Sequence, residues 1–200
     1  MDAEHMVGLT VRRELTALDL FCGLGGASQA MVEAGWRVVR VDIDRRTTAD
    51  VVCDVAALAL RPYPVDLLWA SLPCDKFSRY GQPGLYPGEP DPPLDLAYAV
   101  RAIIDAWRPS NWVVENVLAS RRWLCPIFGP VRASDRGHAY WGTVPMFPLV
   151  PSRKKSIGQQ RGEWLRKLKR GYIPYEVSAA VRNYVSAQRG LEDEEVAGGR

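Results

Sequence analysis

A cysteine, a glutamate and a run of glycines are the residues of this sequence best suited to chemistry. Cys74 stands in Ser71-Leu72-Pro73-Cys74-Asp75-Lys76-Phe77-Ser78, after an apolar run and before a loop dense in Gly and Pro. A cysteine so placed can present a nucleophilic thiolate, although a lone cysteine is more commonly buried and inert. Glu115-Asn116-Val117 follows Trp112-Val113-Val114, so Glu115 is either a structural cap or an acid facing the same crevice as Cys74. The third signal is Asp19-Leu20-Phe21-Cys22-Gly23-Leu24-Gly25-Gly26. Glycines at a strand-to-helix turn let backbone approach a ligand closely. Ser28 occupies the place of the third glycine of a full dinucleotide fingerprint. Asp42 ends the next strand 19 positions after Gly23, about where a ribose-binding acid belongs. Asp54 follows Val51-Val52-Cys53 and can accept a hydrogen bond from an adenine amino group. Together these acids and glycines favour a cofactor containing adenosine.

The surrounding elements must hold these residues at one edge. Leu15 to Phe21 is a short apolar run stopped by glycines, which predicts a buried strand. Ala27 to Ala34 has helical character and ends at Gly35, a natural C-cap. Trp36 to Val41, Val51 to Cys53, Val65 to Ala70 and Trp112 to Val114 read as further strands. Leu96, Ala97, Val100, Ile103, Ile104 and Trp107 follow helical spacing, and Pro109 closes that helix. Such alternation predicts an α/β fold, a doubly wound and mostly parallel sheet that binds ligands at the carboxyl ends of its strands. Gly81 to Pro93 is a loop and a candidate lid. A closing amphipathic helix starts at Pro174.

The chain of 200 residues is 47% apolar and 24% charged, which excludes a disordered or fibrous protein. No run reaches the ~18 apolar residues of a membrane span, and Met1 to Thr10 lacks a signal pattern. A soluble, cytoplasmic protein is expected. Cys22, Cys53, Cys74 and Cys125 form no C-x-x-C pair, and there are two histidines, so no metal site is expected. Charge is unevenly spread. Arg153, Lys154, Lys155, Arg161, Arg166, Lys167, Lys169 and Arg170 face Glu163 alone, a net +7 in a chain of +3. This run is either a solvated face or a contact for nucleic-acid phosphates. The domain division is a tail over 1–14, one catalytic domain over 15–189 with a basic insert at 152–172, and an acidic disordered tail over 190–200.

Leu18-Asp19-Leu20-Phe21-Cys22-Gly23-Leu24-Gly25-Gly26, Pro73-Cys74-x-x-Phe77-Ser78 and Glu115-Asn116-Val117 resemble three signature motifs of the cytosine-5 DNA methyltransferases, in that family's order. The resemblance covers about Leu15 to Val117 and returns faintly at Ile173-Pro174-Tyr175-Glu176-Val177-Ser178. It implies the Rossmann-like fold of methyltransferases that use S-adenosylmethionine. It also implies that Cys74 attacks carbon 6 of cytosine while Glu115 holds and protonates ring nitrogen 3. Carbon 5 would then take the methyl group, and loss of its proton with elimination of Cys74 would release product. By the same resemblance Asp19, Phe21, Gly23, Gly25 and Gly26 would line the methionine and ribose side, Asp42 the ribose hydroxyls and Asp54 the adenine. Pro73 would shape the turn that presents Cys74. The target base would leave its stack to reach the crevice, with Arg79, Tyr80 and Tyr86 near the loop that closes over it.

The chain departs from the family pattern in two places. The family's Gln-x-Arg-x-Arg strand, whose arginine helps hold the base, has no match; Arg132-Ala133-Ser134-Asp135-Arg136 and Gln159-Gln160-Arg161 lie in the general region only. Ser178 is an approximate substitute for a Gly-Asn near the family's C-terminal motif. His138-Ala139-Tyr140-Trp141-Gly142 either stacks on a base or packs in the core. The space for target recognition is the basic segment alone, short of a domain. These features imply a minimal DNA methyltransferase of relaxed or short sequence preference, or one that takes its recognition from a partner protein, in a setting such as restriction-modification. An RNA or nucleotide cytosine methyltransferase, and an impaired relic that binds cofactor or DNA, are the alternatives.

Overall fold

The structure, a computed structural model, describes residues 13–59, 61–80, 91–135, 137–143 and 173–198. The basic run, most of the Gly81–Pro93 loop with Tyr86, His5, Arg136 and the Gln159-Gln160-Arg161 segment lie outside the described residues. Seven strands form one sheet. They are β1 (Thr16–Leu20), β2 (Arg37–Asp42), β3 (Val51–Val52), β4 (Leu67–Ser71), β5 (Asn111–Val117), β6 (Ala133–Asp135) and β7 (His138–Gly142). Their order across the sheet is β3-β2-β1-β4-β5-β7-β6. β1 pairs in parallel with β2 and β4, β2 with β3, and β4 with β5, whereas β7 runs antiparallel to both β5 and β6. The expected doubly wound sheet is present, and the order reverses between β1 and β4. That reversal opens the crevice in which such sheets bind ligands.

Among the described residues five α-helices cover the two faces: α1 (Gln29–Glu33), α2 (Asp75–Tyr80), α3 (Asp95–Trp107), α4 (Arg121–Phe128) and α5 (Tyr175–Gly198). Leu18, Leu20, Leu68, Ala70, Val114 and Trp141 point to one face and pack with Val100 and Ile104 of α3 and Leu124 and Phe128 of α4. Ala17, Leu67, Trp69, Val113 and Tyr140 point to the other and meet Met31 of α1 and Val177, Val181 and Val185 of α5. Residues of alternate parity are thus buried on opposite faces, so the central strands read as continuous apolar runs rather than alternating ones. At the amino edge, Asp66 is stapled by Arg13 Nη2 at 2.8 Å and by the Thr16 amide at 2.8 Å. The carboxyl edge is left for the site.

Two boundaries differ from the sequence reading. α1 is a single short turn because the glycine-rich connection extends to Ser28. α5 continues through Gly198 rather than ending before residue 190. Leu191-Glu192-Asp193-Glu194-Glu195-Val196-Ala197 is composed largely of good helix formers, and a helix already anchored upstream propagates readily through them. The aromatic segment proves to be core: Ala139, Tyr140 and Trp141 are fully buried, with Tyr140 edge-on to Trp69 at 6.5 Å.

Gly142 closes β7 at φ +118°, where a Cβ would lie 2.0 Å from the Trp112 carbonyl oxygen. That oxygen also accepts the Thr143 amide at 3.0 Å, so it cannot yield. Gly142→Ala is expected to cost about 3 kcal/mol, read as a lowered midpoint in chemical denaturation.

Candidate active site

The turn after β1 is built from strained backbone. Phe21, Gly23 and Gly25 take φ of 59°, 53° and 76°, and the first of these is costly for a residue with a side chain. The turn is fixed from below by hydrogen bonds. The Gly25 amide donates to the Cys22 carbonyl at 2.8 Å, and the Thr48 amide to the Gly23 carbonyl at 2.9 Å. Asp42, half-buried at the end of β2, accepts the Gly23 amide at 3.0 Å and the Asp44 amide at 2.9 Å. Its carboxylate therefore ties the glycine turn to the neighbouring strand. A Cβ on Gly25 would come within 3.0 Å of Thr48 Oγ1 and 3.2 Å of the Arg40 guanidinium. Gly26 is buried beside it. Asp54 is exposed and accepts the Ala56 amide at 2.9 Å. Ile43, between Asp42 and Asp44, is 68% exposed; nothing in its sequence context singled it out.

Asp19 is wholly buried at the heart of this turn. Its Oδ2 accepts the Ser28 hydroxyl at 2.6 Å, and Ser28 in turn accepts Arg40 Nε at 3.0 Å. Its Oδ1 is buried without a partner. Burial, offset in part by the Ser28 hydrogen bond and the Arg40 charge, pushes its pKa up to about 7. Between the ordinary aspartate value near 4 and about 7, the folded chain holds a proton that the unfolded chain has lost. Stability is therefore expected to fall as pH rises across that window, by a few kcal/mol. Asp19→Asn should flatten this dependence in thermal melts taken at successive pH values.

Sequence reading singled out neither Ser28 as a relay nor Ser178 as a cap. Ser28 precedes α1 but its hydroxyl is committed to Asp19. Ser178 of α5 caps α1 instead, accepting the Ala30 amide at 3.2 Å and donating to the Ala27 carbonyl at 2.8 Å.

The second half of the site lies at the ends of β4 and β5. Ser71 and Glu115 are register partners, so Cys74 leaves β4 beside the carboxyl end of β5. Asn116 is fully buried. Its Nδ2 donates to the Leu72 carbonyl at 3.0 Å, and its Oδ1 accepts the Val117 amide at 2.8 Å. It thereby clamps the Leu72-Pro73-Cys74 turn to β5. From the other side, the amide and hydroxyl of Ser78 both donate to the Cys74 carbonyl at 2.8 Å. Phe77 is buried against Trp123 of α4 with ring centres 5.9 Å apart, which seats α2. Pro73 is exposed and Cys74 half-buried. Burial first, and then the Glu115 charge, raise the Cys74 thiol above its ordinary range.

Glu115 is buried, with its Oε1 2.5 Å from His138 Nδ1. His138 opens β7, and sequence reading did not connect it to Glu115. The signal was available only as one of two histidines beside an aromatic strand. Its pKa is raised, first by the hydrogen bond to Glu115, against desolvation, with further help from the Glu115 and Asp135 charges. Arg132 lies just before β6, and its amide donates to the Tyr140 carbonyl at 2.8 Å. Among the described residues the basic partner of Glu115 is His138.

The glycine turn, the acids at the ends of successive strands, and the cysteine and buried glutamate at the next two strand ends all lie at the carboxyl edge of a doubly wound α/β sheet. A family model for C-5 cytosine-specific DNA methylases matches residues 15–121, over half of the chain, and that span includes the glycine turn, Asp42, Asp54, Cys74 and Glu115 but not His138 or Ser178. The chain belongs to that family. The type II methyltransferase M.AgeI of Thalassovita gelatinovora is 26% identical over 125 residues, covering 52% of this chain and 28% of that protein. The chain thus matches little more than a quarter of the length of this curated relative. Among solved structures, the S. pombe Dnmt2 methyltransferase is 15% identical with a TM-score of 0.39, covering 65% of this chain and 49% of that one. Entamoeba histolytica methyltransferase EhMeth is 11% identical with a TM-score of 0.42, covering 66% and 53%. Among the described residues no helix is long and apolar enough to cross a membrane, and no cluster of three or more His, Cys, Asp or Glu could hold a metal ion.

Proposed function

We propose that this chain methylates carbon 5 of cytosine in DNA, using S-adenosylmethionine and a covalent adduct to Cys74. The observation that carries the reading is the convergence of Cys74 and Glu115 at adjacent strand ends, beside a glycine turn whose buried acid keeps one oxygen without a partner. The unsatisfied Oδ1 of Asp19 fits a cofactor bearing a hydrogen-bond donor or positive charge, such as the methionine ammonium. Phe21, Gly23, Gly25 and Gly26 would line that end. Asp42 would take the ribose hydroxyls on its remaining lone pairs, Ile43 would offer apolar surface to the purine, and Asp54 would meet the adenine amino group. When bound, S-adenosylmethionine supplies an electrophilic methyl group.

The chain's own residues do the rest. The Cys74 sulfur adds to carbon 6, and Glu115 gives a proton to nitrogen 3, so that carbon 5 becomes nucleophilic. After methylation, carbon 5 loses its proton and the carbon–sulfur bond breaks. Asn116 and Pro73 keep Cys74 in place throughout. DNA phosphates would meet the basic run from Arg153 to Arg170, whose charge suits a counterion-releasing contact. Sequence choice would then be relaxed, or delegated to a partner protein.

Bisulfite sequencing of DNA from cells expressing the chain tests this reading. Methylcytosine in many contexts is the expected result, and methylation confined to one long motif would exclude the relaxed form. Absence of methylcytosine in DNA, with transfer to RNA or free nucleotide in vitro, would shift the substrate.

A further inference from the structure

Resting on that reading, we infer that His138 is the positioning residue for Glu115, holding its carboxyl through Nδ1 and storing the proton that Glu115 passes to the base. Placement comes from the sheet. β5 and β7 are antiparallel with Glu115 opposite Tyr140 and Val117 opposite His138. Residues two apart on a strand share a face, so His138 sits diagonally across from Glu115 on the same side. Its Nδ1 meets Oε1 at 2.5 Å. The carboxyl is 6% exposed and the imidazole 26%. One end of the pair is therefore dry, against the site, and the other reaches water, from which a proton can be replaced.

Electrostatics make such a partner necessary. Catalysis requires a Cys74 thiolate, yet the Glu115 charge opposes it. Two anions in one partly buried site are mutually unfavourable. An imidazolium on Glu115 cancels one of them. The acids that act on the imidazole are Glu115 of β5 and Asp135 of β6, and both favour its charged form. Cys74, ahead of α2, feels the Glu115 charge.

The proton balance is closed. As the carbon–sulfur bond forms, the Nδ1 proton of His138 passes to the Glu115 carboxylate and on to nitrogen 3, leaving neutral imidazole beside the carboxylate. As that bond breaks, the nitrogen 3 proton returns through Glu115 to the imidazole. The carbon 5 proton leaves to solvent. The arrangement supplies the basic group that the chain lacks in the form of a Gln-x-Arg-x-Arg strand.

The test is the rate of adduct formation with a duplex carrying 5-fluorocytosine, measured against pH for the whole chain with S-adenosylmethionine. Wild type should lose rate as pH rises past the ordinary histidine range, because a raised histidine pKa keeps the required proton only up to that point. His138→Ala should be slower by about 100-fold. His138→Asn can donate one N–H to Oε1 but stores no proton. It should recover part of the rate and lose the alkaline decline, with KM for DNA unchanged. An alkaline decline that persists in His138→Asn, or a wild-type rate in His138→Ala, overturns the inference while leaving the methyltransferase reading intact. Failure of wild type to form any adduct overturns that reading, and this inference with it.

Discussion

Cys74→Ala should abolish covalent trapping on 5-fluorocytosine DNA and reduce methyl transfer by about 1000-fold or more, since no other group at the site can form the carbon–sulfur bond. The other cysteines supply the control. Cys22 lies in the glycine turn, closer to where a cofactor would bind, but it is buried and its thiol is pushed up to about 12 by desolvation and by Asp19 and Asp42. It is held neutral by its surroundings. Cys22→Ala should therefore still trap. Cys53 sits after β3, and burial raises its thiol too; Cys125 lies within α4. Cys74 follows the end of β4 at the reversal point of the sheet and, unlike Cys22 after β1, is only half-buried. Gel-shift of a denaturation-resistant complex reads both variants. Trapping that survives Cys74→Ala would refute the proposed nucleophile.

Glu115→Gln should lower methyl transfer by about 100- to 10,000-fold, the usual span for loss of a general acid. The same change should move the reactivity of Cys74 in the opposite direction. The Glu115 charge is one of the two main causes that raise the Cys74 thiol, and the amide carries none. Alkylation of Cys74 by iodoacetamide should then proceed at lower pH in the variant than in wild type. A more reactive thiol in a slower enzyme separates the two roles of this carboxyl. Parallel loss of alkylation and activity would instead indicate a displaced Cys74 turn. Glutamine is close to glutamate in shape, and its carbonyl oxygen can still accept from His138 Nδ1–H, so the β5–β7 edge should keep its fold.

The placement of the candidate site's residues at strand ends was legible in the sequence, for a physical reason. Residues that carry chemistry in a parallel sheet fall at strand ends, and strand ends are where apolar runs stop. Asp19, Asp42, Ser71-to-Cys74 and Glu115 each follow such a run. The strands themselves were readable because burial on both faces leaves them continuously apolar. What escaped detection depends on pairing across long separations. His138 meets Glu115 only through an antiparallel strand whose sequence reads as core, and Asn116 reaches Leu72 from 44 positions away. Ser28 looked like a failed glycine and proved to be the link between Asp19 and Arg40. Its hydroxyl cannot serve the helix it precedes, which is why the cap had to come from elsewhere.

That borrowed cap has a kinetic consequence. Ser178 and Ala27 are 151 positions apart, so the first helix after the glycine turn cannot be completed until Ser178 has been synthesised. The parallel strands β1, β2 and β4 can pair earlier, but the ligand-facing turn above them stays a loose end during synthesis. Closing it joins segments 151 positions apart in one contact of high sequence separation, a slow kind of step in folding. Amide exchange should therefore show α1 opening together with α5 rather than with the adjacent strands. The glycine turn would be the last part of the domain to form and the first to be lost.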